Sequence, residues 1–161
     1  MMYNELHALS TSELEKYLKE DLLIQTHFQG VYNFHDVKNI NLKEGNFVIL
    51  FKPHSENSLI GHWSVLFLNN STFEYFDSLG LDLSEDKEFI NTLSLKNPVF
   101  SSSIQFQKSS TNSCGQFVLY FIYNRILDIL ENFFIFLAKF FSIDQTKNEI
   151  KVINFFKKLS S

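Results

Sequence analysis

Two short runs of β-branched and aromatic residues, separated by an asparagine pair, constrain the fold of this chain most strongly. The runs are His62–Leu68 and Thr72–Asp77, and both have the composition of β-strands. Asn69 and Asn70 lie between them, and asparagine tolerates the positive φ that a tight hairpin turn requires. We therefore predict an antiparallel hairpin near the middle of the chain.

The register of this hairpin decides which polar side chains meet. If the asparagine pair forms the two-residue turn, His62 lies directly opposite Asp77. Opposed residues of an antiparallel pair have Cβ atoms about 4.5–5.5 Å apart, so the carboxylate can accept a hydrogen bond from the imidazole. A four-residue loop would instead place Leu79 opposite His62, and a change of one residue would turn the two side chains to opposite faces.

The single cysteine of the chain follows a polar stretch and precedes an apolar one. Cys114 lies between Lys108–Ser113 and Phe117–Tyr123, which places it at the start of a helix. The free N–H groups and the dipole of a helix N-terminus favour a thiolate. Gly115 would let the backbone pass close to a substrate carbonyl.

A histidine held by a carboxylate can take a proton from a nucleophile, so these residues together suggest nucleophilic catalysis. Each one also has a structural explanation. A lone cysteine before an apolar helix is often a small buried hydrophobic residue, and an aspartate before Ser-Leu-Gly is often a turn former. The order His62, Asp77, Cys114, with Gln107 upstream of the cysteine, favours the catalytic interpretation.

Further elements can be placed around the hairpin from hydrophobic periodicity and capping residues. Either Ser10 with Glu13 or Ser12 with Glu15 could form a capping box for the first helix. The order of elements is an α+β arrangement, and because no linker divides the chain we expect one domain over residues 1–161. The elements are a helix near Ser12–Leu23, a buried strand at Phe47–Phe51, the hairpin, a helix capped by Ser84 that runs to about Leu93, a strand at Ser102–Gln107, a long helix opened by Cys114 with Leu119, Ile122, Ile126, Ile129 and Phe133 on one face, and a helix near Asp144–Leu159.

Charge and cysteine content argue against several classes of protein. The formal net charge is −4, whereas a dedicated nucleic-acid-binding domain presents a basic face. One cysteine excludes an internal disulfide and a multi-cysteine zinc site, and we expect no cofactor or metal. The only basic cluster is interpreted as the solvated face of an amphipathic helix, and it consists of Lys147, Lys151, Lys157 and Lys158.

The apolar segment Phe117–Phe141 is the one place where a membrane span could be suspected. Charged residues interrupt it, whereas a spanning helix needs about 20 almost uncharged residues, so we predict a buried helix and no membrane association. The interrupting residues are Arg125, Asp128, Glu131 and Lys139. The Met1–Leu9 segment lacks the pattern of a signal peptide, and a single cysteine fits a reduced intracellular setting.

Three stretches together resemble the adenain-type cysteine proteases, which comprise the adenovirus proteases and their relatives in other DNA viruses and Polinton-like elements. The stretches are Gly61–Trp63, Phe76–Gly80 and Gln107–Gly115. These proteases share a larger group with the ubiquitin-like-protein-specific proteases. The step of seven residues from Gln107 to Cys114 is similar to the adenain spacing and one longer than expected in the deSUMOylase branch.

The resemblance implies a papain-related α+β fold of the adenain/deSUMOylase type, with a central mixed sheet packed against the helix that starts at Cys114. It makes His62 the general base and later the general acid, with Asp77 orienting the ring. Cys114 would attack the scissile carbonyl and form a thioester. Gln107 would donate its amide to the oxyanion beside the Cys114 backbone N–H, and Gln105 is the competing donor. Trp63 is expected to pack beside the histidine.

The implied function is that of an endopeptidase that matures viral or transposon-encoded structural precursors, cutting next to small residues. The expected location is the host nucleus or cytoplasm, with packaging in the virion left open. The resemblance leaves room for an activating peptide. Such a peptide could not be linked by a disulfide without consuming Cys114, because the chain has no second cysteine. The acidic net charge argues against stimulation by DNA. Two alternatives stay open: a ubiquitin- or SUMO-deconjugating protease, and an inactive interaction module that keeps the fold.

Overall fold

The computed structural model describes residues 6–55, 61–81 and 83–161, and within them five strands form one mixed sheet. The strands lie side by side in chain order. The β1/β2 and β4/β5 pairs are parallel, and the β2/β3 and β3/β4 pairs are antiparallel. The strands are β1 (Phe28–Asn33), β2 (Phe47–Pro53), β3 (Gly61–Asn69), β4 (Thr72–Phe76) and β5 (Val99–Ser101).

Helices cover both faces of this sheet. Alternate residues of β3 enter two separate apolar clusters, with Trp63, Val65 and Phe67 on one face and Leu66 and Leu68 on the other. The first cluster includes residues of α1, α2, α4, α5 and α6, and the second includes α3 and the 3₁₀ helix Phe34–Asn39. The helices are α1 (Thr11–Glu20), α2 (Leu22–His27), α3 (Lys87–Ser94), α4 (Cys114–Leu127), α5 (Phe133–Phe140) and α6 (Gln145–Leu159). A sheet packed against the helix that opens at Cys114 confirms the predicted α+β class.

The hairpin forms in the second of the two registers considered, the one that would bring Leu79 opposite His62, and the register with an Asn69–Asn70 turn is wrong. Asn69 pairs with Thr72, so the turn residues are Asn70 and Ser71, with φ values of 52° and 58°. Two consecutive positive φ values give the turn type that matches strand twist. Asn69 stays in the strand because its amide donates to the Ile129 carbonyl at 3.0 Å. The Ser71 N–H donates to the Glu44 carboxylate, which stabilises a conformation uncommon for serine.

The predicted first helix is divided into two. Ser10 and Glu13 form the capping box of α1, whereas Ser12 and Glu15 do not. Asp21 ends α1 in an extended conformation, and its carboxylate accepts the backbone N–H groups of Leu23 and Ile24 to start α2. An aspartate that caps a new helix thus interrupts a stripe of apolar residues that continues on both sides of it.

Two other sequence predictions, of a strand and of a helix cap, need correction. The strand predicted at Ser102–Gln107 is absent, because β5 ends at Ser101 and Ser103 has a φ of +44°. The predicted cap Ser84 has a side chain outside the described part of the chain, and Asp86 caps α3 by accepting the Phe89 N–H.

The long helix from Cys114 ends at Leu127, and the chain resumes helical structure at Phe133 after Asn132, which caps α5. Ile129 and Phe133 therefore do not belong to α4. The Arg125 guanidinium donates to the carbonyls of Asp128 and Glu131, which folds the connection back onto α4. Among the helices of the described ranges, none is long and apolar enough to cross a membrane.

Candidate active site

His62 and Asp77 form a buried hydrogen-bonded pair at the end of the hairpin. His62 Nε2 lies 2.7 Å from Asp77 Oδ1, and the two residues are 8% and 1% exposed. The β3/β4 ladder ends at Val65 and Phe76, so His62 lies in the part of β3 that pairs with β2 alone, and Asp77 follows β4 directly. The observed register differs from the predicted one by two residues, which leaves the two side chains on the same face in a diagonal arrangement. The predicted pair is thus present, although the register that predicted it is not.

The Asp77 carboxylate is fixed by further donors. The Leu79 N–H donates to Oδ1 at 2.8 Å, and the Tyr75 hydroxyl donates to Oδ2 at 3.3 Å. Burial, followed by the charge of Asp77, raises the pKa of Tyr75 well above its ordinary value, so the hydroxyl keeps its proton and acts as a donor. The Asp77 backbone N–H donates to the Ser102 hydroxyl. These contacts hold the acceptor of the imidazole proton in one orientation.

Cys114 is the buried first residue of α4, and it lies close enough to the His62 ring to influence its pKa. Burial is the largest influence on the pKa of His62 and lowers it. The hydrogen bond to Asp77, the proximity of Cys114 and the charges of both groups outweigh burial and raise the pKa to about 9. A ring with this raised pKa is suited to hold a proton taken from a neighbouring group.

The raised pKa of His62 predicts that the folded state loses stability as the pH rises from 6.5 to about 9. An unfolded chain releases this proton near pH 6.5, whereas the folded chain holds it until about pH 9. The unfolded state binds fewer protons in this interval, so the free energy of unfolding falls with rising pH, by about 3 kcal/mol from this group. The contribution is complete below pH 6.5 and lost above about pH 9.

Urea unfolding of the wild type and of His62→Gln across this interval measures the effect. The stability of the wild type should fall more steeply than that of the variant. Parallel loss of stability in the two proteins would show that His62 is not the titrating group.

Gln107 is buried and connects the Asp77 turn to the loop before Cys114. Its amide oxygen accepts a hydrogen bond from the Ser78 hydroxyl at 2.6 Å. Its amide nitrogen donates to the carbonyl of Thr111 at 3.0 Å and to the Thr111 hydroxyl at 3.2 Å. The group predicted to serve the oxyanion is therefore engaged within the loop.

Gln105, the predicted competitor, braces the same loop from a more exposed position. Its amide donates to the Gln107 carbonyl at 3.0 Å and to the Ser109 hydroxyl at 2.8 Å. Gln105 and Gln107 do not share a strand face, because residues 102–107 do not form a strand. The two amides differ in role because Gln107 points into the buried network and Gln105 borders it.

Trp63 follows His62 in β3, and its side chain lies in the first apolar cluster. Its indole N–H donates to the Leu9 carbonyl at 3.1 Å, and its ring lies 4.7 Å from that of Phe51. The Leu9 side chain packs against Gly115, where an added Cβ would come within 3.0 Å of it. Gly115 thus permits close approach of Leu9, a contact that sequence analysis did not predict. The residues before α1 are held across the first turn of α4.

Sequence analysis missed several polar residues that support this arrangement. Ser78 binds Gln107, Ser102 binds the backbone of Asp77, and Tyr75 binds its carboxylate. Ser78 and Tyr75 flank the predicted acid, so proximity to Asp77 was the available signal for them. No such signal marked Ser102. Within the described ranges, no group of three or more histidine, cysteine, aspartate or glutamate side chains is arranged to hold a metal ion.

Comparison with known proteins gives similarity of fold. No family model matches the sequence, and no curated protein matches it. The structure is similar to the selenomethionine form of the ASFV pS273R protease, with a TM-score of 0.54 and 15% identity over 90% of this chain and 67% of that one. A second structure of the ASFV pS273R protease gives a TM-score of 0.50 and 14% identity over 81% of this chain and 61% of that one.

A third similar structure is the central domain of the uncharacterized Lpg1148 protein from Legionella pneumophila. Its TM-score is 0.50 with 12% identity, over 96% of this chain and 99% of that domain. The chain thus spans about two thirds of the ASFV protease and nearly all of the Legionella domain. Identities this low show a shared fold, which is that of a viral protease, and the narrower likeness to adenains stays a prediction.

Proposed function

We propose that this chain is a cysteine endopeptidase in which Cys114 is the nucleophile, His62 the general base and Asp77 the residue that orients the ring. The observation that carries the proposal is the buried His62–Asp77 pair, together with a buried Cys114 at the first position of α4 that influences the pKa of His62. The fold shared with the ASFV pS273R protease supports it.

Acyl transfer follows from this arrangement. His62 takes the thiol proton of Cys114 as the sulfur attacks the scissile carbonyl carbon, and the electron pair of the C=O bond moves to the oxygen. Collapse of the intermediate breaks the C–N bond as His62 gives its proton to the leaving amine, which leaves a thioester on Cys114. His62 then takes a proton from water, and the hydroxide attacks the thioester. The carboxylic acid product departs and the sulfur regains its starting state. Asp77 stabilises the imidazolium throughout.

The oxyanion is assigned to the Cys114 backbone N–H and to the Gln107 amide. An amide nitrogen has two hydrogens, and both acceptors of Gln107 belong to Thr111. The longer of these bonds, to the Thr111 hydroxyl, is the one to be exchanged for the oxyanion when substrate binds.

Replacing Gln107 by alanine should lower kcat about 10²-fold or more, with a smaller change in KM, because an oxyanion donor acts in the transition state. Gln105→Ala is the matched control, since it removes a loop-bracing amide two residues away. Steady-state kinetics of both variants give the comparison. A Gln105 variant that loses more kcat than the Gln107 variant would transfer the role to Gln105.

The substrates in this proposal are structural precursor proteins of a virus or transposon, cut next to small residues during particle maturation in the infected cell or the virion. The purified chain is incubated with the structural precursors encoded beside it, and separately with ubiquitin and SUMO that carry a reactive C-terminus. Cleavage of a precursor is the expected result. Reaction with a ubiquitin or SUMO probe alone would identify a deconjugating protease. Stable binding of a precursor without cleavage would identify an inactive interaction module.

A further inference from the structure

Two buried polar residues of α6 face the segment that carries Gln107 and leads to Cys114. Asn148 and Glu149 are 1% and 7% exposed, whereas the flanking Lys147 and Ile150 are exposed. The proposed reaction uses neither of them. Both make hydrogen bonds to residues about 40 positions earlier in the chain.

Asn148 fixes the backbone just before Gln107. Its amide nitrogen donates to the Phe106 carbonyl at 3.1 Å and to the Ser142 carbonyl at 2.6 Å, and its amide oxygen accepts the Ser142 N–H. The start of the active-site loop is therefore tied to the connection between α5 and α6.

Glu149 binds the same loop on the other side of Gln107. Its Oε1 accepts the Lys108 N–H at 3.0 Å and the Thr111 hydroxyl at 2.8 Å. Its Oε2 accepts the Ser113 hydroxyl at 3.0 Å. One carboxylate thus contacts the residue that follows Gln107 and the residue that precedes Cys114.

These contacts also hold the threonine hydroxyl that accepts a hydrogen bond from Gln107. An ionised carboxylate only accepts hydrogen bonds, and bonds to it are stronger than bonds to neutral groups. The Thr111 hydroxyl hydrogen therefore goes to Glu149. The hydroxyl oxygen is left to accept from the amide nitrogen of Gln107. The Thr111 carbonyl and the Ser78 hydroxyl set which way the Gln107 amide points, and Glu149 holds the threonine that carries both acceptors of this amide.

We infer that Glu149 is a positioning residue of the proposed protease: its buried carboxylate holds the Lys108–Ser113 loop so that Gln107 and Cys114 keep their places. The inference rests on the proposed function. Burial of a carboxylate costs free energy unless its hydrogen bonds are made. Here all three donors belong to the loop before the nucleophile. Helix α6 therefore positions this loop in addition to packing in the core.

Glu149→Ala removes all three acceptors and should lower kcat about 10- to 100-fold with little change in KM, because small displacements of reacting groups have effects of that order. Glu149→Gln has the same shape. Its amide oxygen can still accept from Lys108 and Thr111, and its amide nitrogen can donate to the Ser113 oxygen, so most of the wild-type kcat should return. Lys151→Ala, an exposed change on the same helix, should leave kcat unaltered.

Kinetics are measured at a temperature where circular dichroism shows each variant folded, and amide hydrogen exchange is followed at Lys108. Loss of Lys108 protection in Glu149→Ala, together with the fall in kcat and its rescue by glutamine, supports the inference. A folded Glu149→Ala protein with wild-type kcat overturns it, and so does a Glu149→Gln protein as impaired as the alanine variant.

The exchange measurement separates this inference from the proposed function. If the wild type cleaves nothing, the protease proposal fails, and Lys108 exchange still reports whether Glu149 holds the loop. Unchanged protection of Lys108 in Glu149→Ala overturns the inference whether or not the protein is active.

Discussion

Replacing Cys114 by alanine should abolish peptide-bond cleavage and leave the fold intact. The thiol is the only nucleophile in contact with the His62 ring in this proposal, and without it the His62–Asp77 pair has nothing to activate. Loss of the nucleophile costs about 10⁶-fold in kcat in a well-studied serine protease, so we expect at least about 10³-fold here. The change removes one sulfur atom from a residue that is 8% exposed, which leaves at most a small cavity.

The initial rate of precursor cleavage and the thermal unfolding midpoint are measured for the wild type and for Cys114→Ala. Cys114→Ser is the matched control for shape, because it keeps a side chain of nearly the same size with a far weaker nucleophile. Normal unfolding with no cleavage in both variants is expected. Failure of the alanine variant to fold, with the serine variant folded and active, would identify a structural cysteine.

The second large effect concerns Arg125, whose replacement by alanine should destabilise the protein by about 3–5 kcal/mol. Arg125 is 1% exposed and binds the Glu74 carboxylate with two parallel bonds of 2.8 Å, from Nε and Nη2. It also donates to the carbonyls of Asp128 and Glu131. Removing it leaves a buried carboxylate without its cation and two carbonyls without their donor.

Urea unfolding of the wild type, Arg125→Ala and the double variant Arg125→Met with Glu74→Gln measures this effect. The double variant removes both charges and fills the space, so it should be more stable than the single alanine variant. A loss below about 1 kcal/mol in Arg125→Ala would mean that the pair behaves like an exposed one.

The sequence predicted the hairpin and not its register, and the reason is physical. Asn69, Asn70 and Ser71 all tolerate a turn, so local preference leaves the register undetermined. The choice depends on contacts with Glu44 and Ile129, which are distant along the chain. The His62–Asp77 pair was nevertheless predicted, because a shift of two residues preserves the face on which each side chain lies.

The strands at the ends of the sheet were harder to predict for a related reason. β1 pairs in parallel with β2 across an intervening 3₁₀ helix, and such pairing leaves no turn signal between the strands. The alternating pattern of residues 102–107 suggested a strand, but the N–H groups of Phe106 and Gln107 both donate to the Ser78 carbonyl. These two hydrogen bonds hold the segment against the Asp77 turn, outside the sheet.

Within the candidate site, residue identity could be predicted from local motifs and orientation could not. His62, Asp77, Gln107 and Cys114 follow from short stretches of sequence. The direction of the Gln107 amide depends on the Thr111 carbonyl and the Ser78 hydroxyl, and Thr111 is held in turn by a carboxylate of α6. A solitary glutamate in a lysine-rich amphipathic helix looks like a surface residue until the helix is packed.

The anchoring of the active-site loop by α6 has a consequence for biosynthesis. Ribosomes release residues 107–114 before Glu149 exists, so a nascent chain shorter than this lacks the acceptor of three of the loop's hydrogen bonds. In the proposed enzyme, full proteolytic activity therefore requires that translation has passed Glu149, and a truncated product that retains the cysteine and histidine would cleave other polypeptides more slowly.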